Sequence, residues 1–335
     1  MDRPTMRDVA DRAGVSPKTV SNVVRGWPAV RPDTEVRVRA ALNELGYRMN
    51  QSSKMLRTGQ TGIIALAVPW LDSPYFAELT SAIVRRAEAV NLTVMVEQTD
   101  GIAERERKVL RGLIDAPIDG LIFSPYALGS DELPADLRGP TVLLGERVGA
   151  SNWDHLAIDN VAAALEVTTH LLKLGRKRIA AIGHQDIAGA ENARLRARGY
   201  QLALRAAGFT PDPALQMTVD AFERAHGASA MRRLLDSGIP FDAVFCFSDL
   251  LALGAMHEAQ QAGIRVPNDI AIAGFDDIEE GRYANPPLTT IRPAKDEIAT
   301  LALELLIERI EDNTRPAQAP VPGYELMIRA STSRD

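Results

Sequence analysis

From Gly62 onward, short apolar runs rich in strand-forming residues alternate with longer segments that have helical periodicity. This alternation is typical of parallel β-sheets whose two faces are both covered by helices. About a dozen such runs are too many for one ordinary sheet, so we expect an α/β fold with two lobes. The clearest expected strands are Ile63–Val68, Thr93–Glu97, Leu121–Ser124, Thr141–Leu144, Leu156–Ile158, Ile179–Ile182, Met217–Val219, Ala243–Phe247 and Ile270–Phe275.

We expect the chain to cross between the lobes at three places. These are after Asp159-Asn160, after Thr289-Thr290-Ile291 and around Pro320–Gly323. The predicted division is residues 61–160 plus 291–320 for the first lobe, and 161–290 plus 321–332 for the second. Residues 1–48 are predicted to form a separate all-α domain of three short helices, and residues 49–60 connect it to the lobes.

The start of the all-α domain has the pattern of two short helices separated by a glycine turn. An apolar stripe with helical spacing runs from Met6 to Ala13, and Thr5 precedes it as a natural N-cap. Gly14 can adopt the positive φ that ends a helix. Ser16 then caps a second helix with Pro17 at its first position, where the missing N–H costs nothing. This arrangement is a helix-turn-helix motif.

Charge is unevenly distributed along the chain. Residues 1–60 contain eleven Lys/Arg and six Asp/Glu, which gives this part a net charge of +5. Because the whole chain has a net charge of −6, the remaining 275 residues carry −11. A basic head on an acidic body indicates that the head alone contacts a polyanion such as nucleic acid.

The outward face of the second helix has side chains suited to DNA. Lys18 and Asn22 are i, i+4 neighbours, so both point the same way. Lysine suits the O6 and N7 atoms of guanine, and asparagine can bond adenine twice, while short hydroxyl side chains suit phosphates. The expected DNA-binding residues of the head are Thr5, Ser16, Pro17, Lys18, Thr19, Ser21, Asn22 and Arg25.

Two runs in the head resemble a known family. Thr5–Val24 (TMRDVADRAGVSPKTVSNVV) and Ala40–Tyr47 (AALNELGY) are similar to the head of the lactose-repressor/galactose-repressor family of bacterial regulators. The resemblance extends over the rest of the chain and implies a two-lobed core like that of a periplasmic binding protein. It also implies a ligand-responsive transcriptional repressor, whose partners are double-stranded operator DNA, a small-molecule effector such as a sugar, and a second copy of the chain.

The resemblance assigns a hinge helix to the segment that follows the head. In the family, two hinge helices pair at the operator centre and each inserts a leucine into the minor groove. Leu56 matches that leucine and is an apolar wedge able to kink a base step, with Asn50 as the cap and Lys54 near phosphates. Met49 and Ser53 replace the family's usual Pro and Ala, which predicts a softer helix. A helix this short is marginal in water, so we expect it to order on DNA.

Polar and aromatic side chains follow the ends of the expected strands, where ligands bind in open α/β sheets. Carboxylates and arginine can bind hydroxyl groups and rings can stack on sugar C–H faces, so this mixture suits a polyhydroxy ligand. The resemblance adds Arg196 as the effector-gripping arginine and Asp276 as the cleft aspartate. Glu146 stands where the family more often has an aspartate. The expected effector-binding residues are Tyr75, Phe76, Ser124, Glu146, Arg196, Phe222, Ser248, Asp249 and Asp276.

The sequence disfavours several other classes of protein. Cys246 is the single cysteine, which excludes an internal disulfide and a cysteine-rich zinc site. The sequence has no phosphate-binding glycine loop, no nucleophile elbow and no histidines at metal-ligand spacing, so we expect no enzyme, cofactor or metal site. No apolar run approaches the roughly 18–20 residues that span a bilayer, and no secretory pattern begins the chain. We therefore expect a cytoplasmic protein without a membrane partner.

Some alternatives stay open at this point. A corepressor-dependent regulator that responds to a nucleobase or another metabolite would reverse the sign of the response. A sugar-binding receptor without DNA function is a further possibility, which the missing signal peptide disfavours. We expect a homodimer because a palindromic operator requires a two-fold protein, and no leucine-repeat tail of the tetrameric lactose repressor follows the last strand.

Overall fold

The computed structural model describes residues 4–24, 27, 30–46, 60–115, 117–129, 132–133, 139–146, 153–186 and 189–333. The chain forms two compact units, Met1–Thr61 and Gly62–Asp335. Four of the expected DNA-binding residues lie outside the described residues: Arg25, Asn50, Lys54 and Leu56.

Three helices build the first unit: α1 (Met6–Ala13), α2 (Pro17–Val24) and α3 (Pro32–Leu45). Helix α1 begins with a capping box. The backbone N–H of Asp8 donates to Thr5 Oγ1 at 3.3 Å, and the backbone N–H of Thr5 donates to Asp8 Oδ2 at 2.7 Å. Both hydrogen bonds satisfy donors that a helix start leaves open. Asp8 Oδ2 also accepts from the Thr5 hydroxyl at 2.7 Å, and the bonds from the Thr5 N–H and hydroxyl lower the pKa of the Asp8 carboxyl.

A glycine turn joins α1 to α2. Gly14 has φ +63°, and Ser16 Oγ accepts from the backbone N–H of Thr19 at 3.1 Å. Each helix contributes fully buried side chains to one core, for example Val9, Val20 and Val38. The helix-turn-helix head predicted from the sequence is therefore confirmed.

The first lobe of the second unit contains a five-stranded parallel sheet. Its strands are β1 (Ile63–Val68), β2 (Thr93–Gln98), β3 (Gly120–Phe123), β4 (Thr141–Leu144) and β5 (Asp154–Leu156). Helices α4 (Pro74–Ala89) and α5 (Ala103–Asp115) connect β1 to β2 and β2 to β3. The strand order is β2-β1-β3-β4-β5, so β1, β3 and β4 are interior strands, and every residue of β3 and β4 is buried.

The second lobe contains a six-stranded sheet. Its strands are β6 (Ile179–His184), β7 (Gln216–Thr218), β8 (Ala243–Cys246), β9 (Ala271–Phe275), β10 (Thr289–Pro293) and β11 (Tyr324–Met327), in the order β11-β10-β9-β8-β6-β7. The helices are α6 (Asn160–Lys173), α7 (Glu191–Ala206), α8 (Arg224–Asp236), α9 (Asp249–Gln261) and the short α10 (Glu279–Tyr283). The α/β class with two lobes is thereby confirmed.

The chain passes between the lobes before α6, after β10 and before β11. Helix α11 (Lys295–Glu311) follows β10 and packs against α4 and the strands of the first sheet. The backbone N–H of Ala294 donates to the Gly323 carbonyl at 3.0 Å, so the second and third crossings run side by side. The predicted residue ranges of the lobes stay predictions; β10 pairs within the second sheet as far as Pro293.

Three details of the secondary structure differ from the sequence expectation. Strand β5 lies two residues earlier than predicted, and β7 lies one residue earlier. Strand β11 pairs antiparallel with β10, whereas parallel strands were expected throughout. Both β5 and β7 have only three residues, and such short runs give the apolar pattern little power to fix their ends.

Candidate functional site

Arg196 and Asp276 lie together at the carboxyl end of the second sheet. Asp276 follows β9 directly and has φ +117°, and its backbone N–H donates to the Ile291 carbonyl at 2.8 Å. Arg196 comes from α7 and its guanidinium lies 3.6 Å above the centre of the Phe275 ring. Arg196 Nη2 is 3.7 Å from Asp276 Oδ1, slightly longer than a hydrogen bond. A ligand hydroxyl could therefore bond both side chains.

The other Arg196 donors fix the side chain in place. Nε donates to Asn160 Oδ1 at 2.8 Å, and Nη1 donates to the Phe247 carbonyl. The Arg196 side chain is only 8 % exposed, so its charge is held in a partly desolvated position. A planar guanidinium that is already oriented loses little entropy when it binds a ligand.

Asn160 connects this pair to the first lobe. It is buried at the start of α6, immediately after the first crossing. Its Nδ2 donates to Glu146 Oε1 at 2.7 Å, while its Oδ1 accepts from Arg196. Glu146, Asn160, Arg196 and Asp276 thus form one polar chain from the end of the first sheet to the end of the second.

A second link between the lobes lies beside this polar chain. Glu78 on α4 accepts from Lys295 Nζ at 2.5 Å and from the backbone N–H of Glu279 at 3.2 Å. The Lys295 ammonium also lies 5.5 Å from the centre of the Tyr75 ring. A charged pair on the first lobe therefore reaches both the second lobe and the aromatic residues at the start of α4.

Burial and neighbouring charges raise the pKa of two groups in the site. The pKa of Asp276 rises to about 6, chiefly because of burial, although Arg196 and Lys295 oppose the rise. The pKa of Tyr75 rises because of burial and because Glu146 and Asp276 are close. The Tyr75 hydroxyl therefore stays neutral and can donate a hydrogen bond to a ligand oxygen.

Aromatic residues line the first-lobe side of the site. Tyr75 and Phe76 begin α4, are partly exposed, and pack edge to face with ring centres 5.3 Å apart. Phe222 precedes α8 in the second lobe and is also partly exposed. Aromatic rings thus follow β1 in the first lobe and β7 in the second, at the strand ends where a ligand would bind.

Ser124, Ser248 and Asp249 have contacts within the fold. Ser124 is buried at the end of β3, and its backbone N–H donates to the Ala67 carbonyl. Ser248 Oγ caps α9 by accepting from Leu251 N–H at 3.2 Å.

Asp249 is fully buried and accepts from Thr290 Oγ1 at 2.6 Å and from Ile278 N–H at 3.0 Å. Burial, and then the charge of Asp276, raise the pKa of Asp249 to about 7. Both carboxylate oxygens of Asp249 thus accept hydrogen bonds within the fold, and the expectation that Asp249 binds the effector directly stays a prediction.

The head presents its expected contact residues on one side. Pro17 and Lys18 are exposed, and Ser21 and Asn22 are partly exposed. The hydroxyls of Ser16 and Thr19 are 2.9 Å apart and bond each other in the cap of α2. The expectation that Lys18 and Asn22 contact bases stays a prediction.

Three residues of the site were not predicted from the sequence: Asn160, Glu78 and Lys295. Asn160 was noted only as a crossing point, although a polar pair at the end of a strand was an available signal. Nothing in the local sequence of Glu78 or Lys295 shows that they meet, since 217 positions separate them.

Among the described residues, no cluster of His, Cys, Asp or Glu could hold a metal ion. In the same part of the chain, every helix is too short or too polar to cross a membrane.

Comparisons with known proteins agree with this architecture. Residues 5–50 match the model of bacterial regulatory proteins, lacI family, and residues 168–332 match a periplasmic binding protein-like domain. The HTH-type transcriptional repressor CytR of Escherichia coli (strain K12) is 33 % identical over 98 % of this chain and 96 % of its own length. The ribose operon repressor of the same strain is 32 % identical over 98 % of this chain and 99 % of its own.

Solved structures show the same likeness. A putative LacI-family transcriptional regulator from Sanguibacter keddieii DSM 10542 is 41 % identical, with a TM-score of 0.75 over 82 % of this chain and 99 % of that chain. The transcriptional regulator CelR in complex with cellobiose is 30 % identical, with a TM-score of 0.73 over 98 % and 100 %. The lac repressor dimer bound to operator and the anti-inducer ONPF is 25 % identical, with a TM-score of 0.83 over 99 % of both.

A helix-turn-helix head and a two-lobed core with a polar cleft define a ligand-responsive transcriptional regulator. The curated relatives that match nearly the whole chain are repressors. The chain belongs to the LacI family of bacterial regulatory proteins.

Proposed function

We propose that the protein is a repressor that binds a palindromic operator as a homodimer and is released by a small sugar. The observation that carries this proposal is the polar chain Glu146–Asn160–Arg196–Asp276, which joins the two lobes at their strand ends. A ligand that bonds to this chain contacts both lobes at once. Its binding free energy therefore depends on the angle between the lobes.

The proposed ligand contacts follow from the charges and rings of the cleft. Arg196 and Asp276 hold a pair of hydroxyls, and because their facing atoms are 3.7 Å apart, a hydroxyl oxygen beside them can bond both. Glu146 accepts from a further hydroxyl, and Tyr75 donates to a ring or hydroxyl oxygen. Phe76, Phe222 and Ser124 complete the walls of the cleft. Ser248 caps α9 and Asp249 holds the Thr290 and Ile278 segments, so both support the cleft from below.

The proposed DNA contacts lie on the head and the segment that follows it. Lys18 and Asn22 reach base edges in the major groove, and Leu56 enters the minor groove at the operator centre. Two copies place two recognition helices on two half-sites. The lac repressor structure, a dimer on its operator, supports this arrangement by analogy. Such a regulator works in the cytoplasm, where bacterial DNA lies.

Effector and operator are then linked through lobe closure. The sugar stabilises one angle between the lobes, and the paired hinge segments require another. The difference between the sugar's affinities for the two states sets the response, for which about 1–3 kcal/mol is typical. The cellobiose complex of CelR and the ribose complex of a LacI-family regulator from Enterococcus faecium support a sugar as the ligand class.

The test starts from an operator selected from random duplex DNA with the full-length protein. Fluorescence anisotropy of the labelled operator is then followed during titration with a panel of mono- and disaccharides. The proposal requires at least one sugar to lower operator affinity about fivefold or more. A sugar that raises operator affinity would contradict release as the mode of action.

Matched variants on α7 test the site itself. Arg196→Ala removes the donors that meet Asn160 and Asp276, so we expect loss of the sugar response with operator affinity unchanged. Arg198→Ala changes an exposed arginine two positions away on the same helix and should respond as the wild type does. A normal calorimetric sugar affinity in a folded Arg196→Ala protein would remove Arg196 from the site.

A further inference from the structure

A row of aromatic rings extends the cleft along the edge of the first sheet. From Tyr75 and Phe76 the row continues to Trp70, whose ring centre is 6.4 Å from that of Phe76. Trp70 in turn packs edge to face on Tyr126 at 4.6 Å. Trp70 follows β1 and Tyr126 follows β3, which are adjacent strands, so both rings lie at the ligand-binding edge. All four rings are partly exposed.

The far end of this row is held rigidly. The buried carboxylate of Glu106 accepts from the backbone N–H groups of Tyr126, Ala127 and Leu128 at 2.8–3.1 Å. A buried side chain that satisfies three successive backbone donors fixes the course of the loop. Tyr126 is therefore positioned before any ligand arrives.

Trp70 is fixed in a comparable way. The backbone N–H of the following residue, Leu71, donates to Gln98 Oε1 at 2.9 Å, which ties the loop after β1 to the end of β2. Gly101 has φ +62°, and a Cβ there would lie 2.8 Å from the Tyr126 ring and 3.1 Å from the Trp70 ring. The two rings thus pack directly on the backbone of Gly101. A preorganised aromatic surface gains affinity because little freedom is lost on binding.

This aromatic surface adjoins the polar chain but adds a different chemistry. Tyr75 is close enough to Glu146 and Asp276 for both to raise its pKa, so the row of rings begins at the polar chain. Arg196, Asp276 and Glu146 provide enough donors and acceptors for the hydroxyls of one sugar ring. Trp70 and Tyr126 are the members of the row farther along from Tyr75, and they offer mainly apolar ring surface with a polar N–H and O–H.

We infer that the cleft binds a two-ring glycoside. The hydroxyls of one sugar ring bond to the polar chain, and the second ring packs against Trp70 and Tyr126. The inference rests on the proposed function, since it assumes that the cleft binds an effector. It adds that a single sugar ring leaves Trp70 and Tyr126 without a contact and therefore binds more weakly. The second ring is either another sugar or a nucleobase, because both present a flat or C–H-rich face to aromatic side chains.

Isothermal titration calorimetry on the full-length protein with matched ligand pairs tests this inference. The pairs are cellobiose with glucose, lactose with galactose, and cytidine or adenosine with ribose. We expect the two-ring member of at least one pair to bind about tenfold more tightly than its one-ring partner. The pair that shows the preference identifies the second ring as sugar or base. One-ring ligands that bind as tightly as their two-ring partners in every pair would overturn the inference.

Variants at the far end of the row locate the second ring. Trp70→Ala and Tyr126→Leu should each lose most of the tenfold preference while keeping wild-type affinity for the one-ring ligand, which also shows that they are folded. Trp70→Phe keeps a ring on Gly101 and should retain an intermediate preference. Leu71→Ala, a change at a neighbouring exposed apolar residue, is the control and should keep the full preference. A preference that survives in Trp70→Ala and Tyr126→Leu would overturn the inference.

The anisotropy assay separates this inference from the proposed function. If the one-ring and two-ring members of every ligand pair release the operator equally, the inference fails and the proposed function stands. If no ligand of either size changes operator binding, the proposed function fails, whatever calorimetry shows about ring number.

Discussion

Replacing Asp276 with asparagine should stabilise the protein and abolish its response to the effector. The Asp276 side chain is 15 % exposed, and burial raises its pKa from the ordinary 3.8 to about 6 despite the nearby Arg196. A difference of this size corresponds to at most about 3 kcal/mol of cost for holding the carboxylate ionised at neutral pH. Asparagine has the same shape, tolerates the positive φ at this position, and carries no charge.

The pH dependence follows from the direction of that pKa change. The unfolded chain releases the Asp276 proton near pH 4, whereas the folded protein keeps it until about pH 6. The contribution of Asp276 to stability is therefore most favourable below about pH 4 and is lost as the pH rises to about 6. The stability advantage of Asp276→Asn should grow by about 2 kcal/mol from about pH 4 to about pH 7.

Urea unfolding of wild type and variant across this pH range measures the effect. Subtracting the two curves cancels groups that titrate equally in both proteins. Asp249 adds to the effect in the same direction, because the charge of Asp276 contributes to its raised pKa. Asp236→Asn, at an exposed aspartate on α8, is the control and should show no such trend. A stability difference that stays flat or falls with pH would show that the ionised Asp276 carboxylate does not destabilise the fold.

Two further changes test the head and the packing of the second lobe. Lys18→Ala should relax selectivity at one base pair per half-site by about 1–3 kcal/mol, measured by selection from degenerate operators; equal losses on all sequences would contradict a base contact. Gly254→Ala should destabilise the protein by about 3 kcal/mol, because a Cβ there would lie 1.9 Å from the Arg224 carbonyl oxygen where α8 and α9 cross. Gly112→Ala, in open space on α5, should instead stabilise by about 0.5–1 kcal/mol; equal melting temperatures for these two glycine variants would contradict the packing argument.

The head and the fold class could be predicted because their signals are local. The cap at Thr5, the turn at Gly14 and the cap at Ser16 each depend on a few neighbouring residues, and the structure has all three. The two-lobed α/β class follows from the repeated alternation of strands and helices. Strand ends and the antiparallel direction of β11 depend on partners that are distant in sequence, so the local pattern could not fix them.

The candidate site was only partly predictable. Arg196 and Asp276 were found through the family resemblance, and the structure brings them together. Asn160 and Lys295 were missed because their roles arise only where the chain crosses between lobes. Asp249 was predicted from its position after a strand, but the sequence did not reveal that Thr290 and the backbone of Ile278 occupy its oxygens.

Coupling between the cleft and the DNA-binding head requires that effector and operator weaken each other's binding. The effector's dissociation constant would be measured by calorimetry on the free full-length protein and on the protein saturated with operator DNA. We expect weaker effector binding in the presence of operator, by the same factor by which effector weakens operator binding. Identical effector affinities with and without operator would contradict it, since the cleft and the DNA-binding head would then be independent.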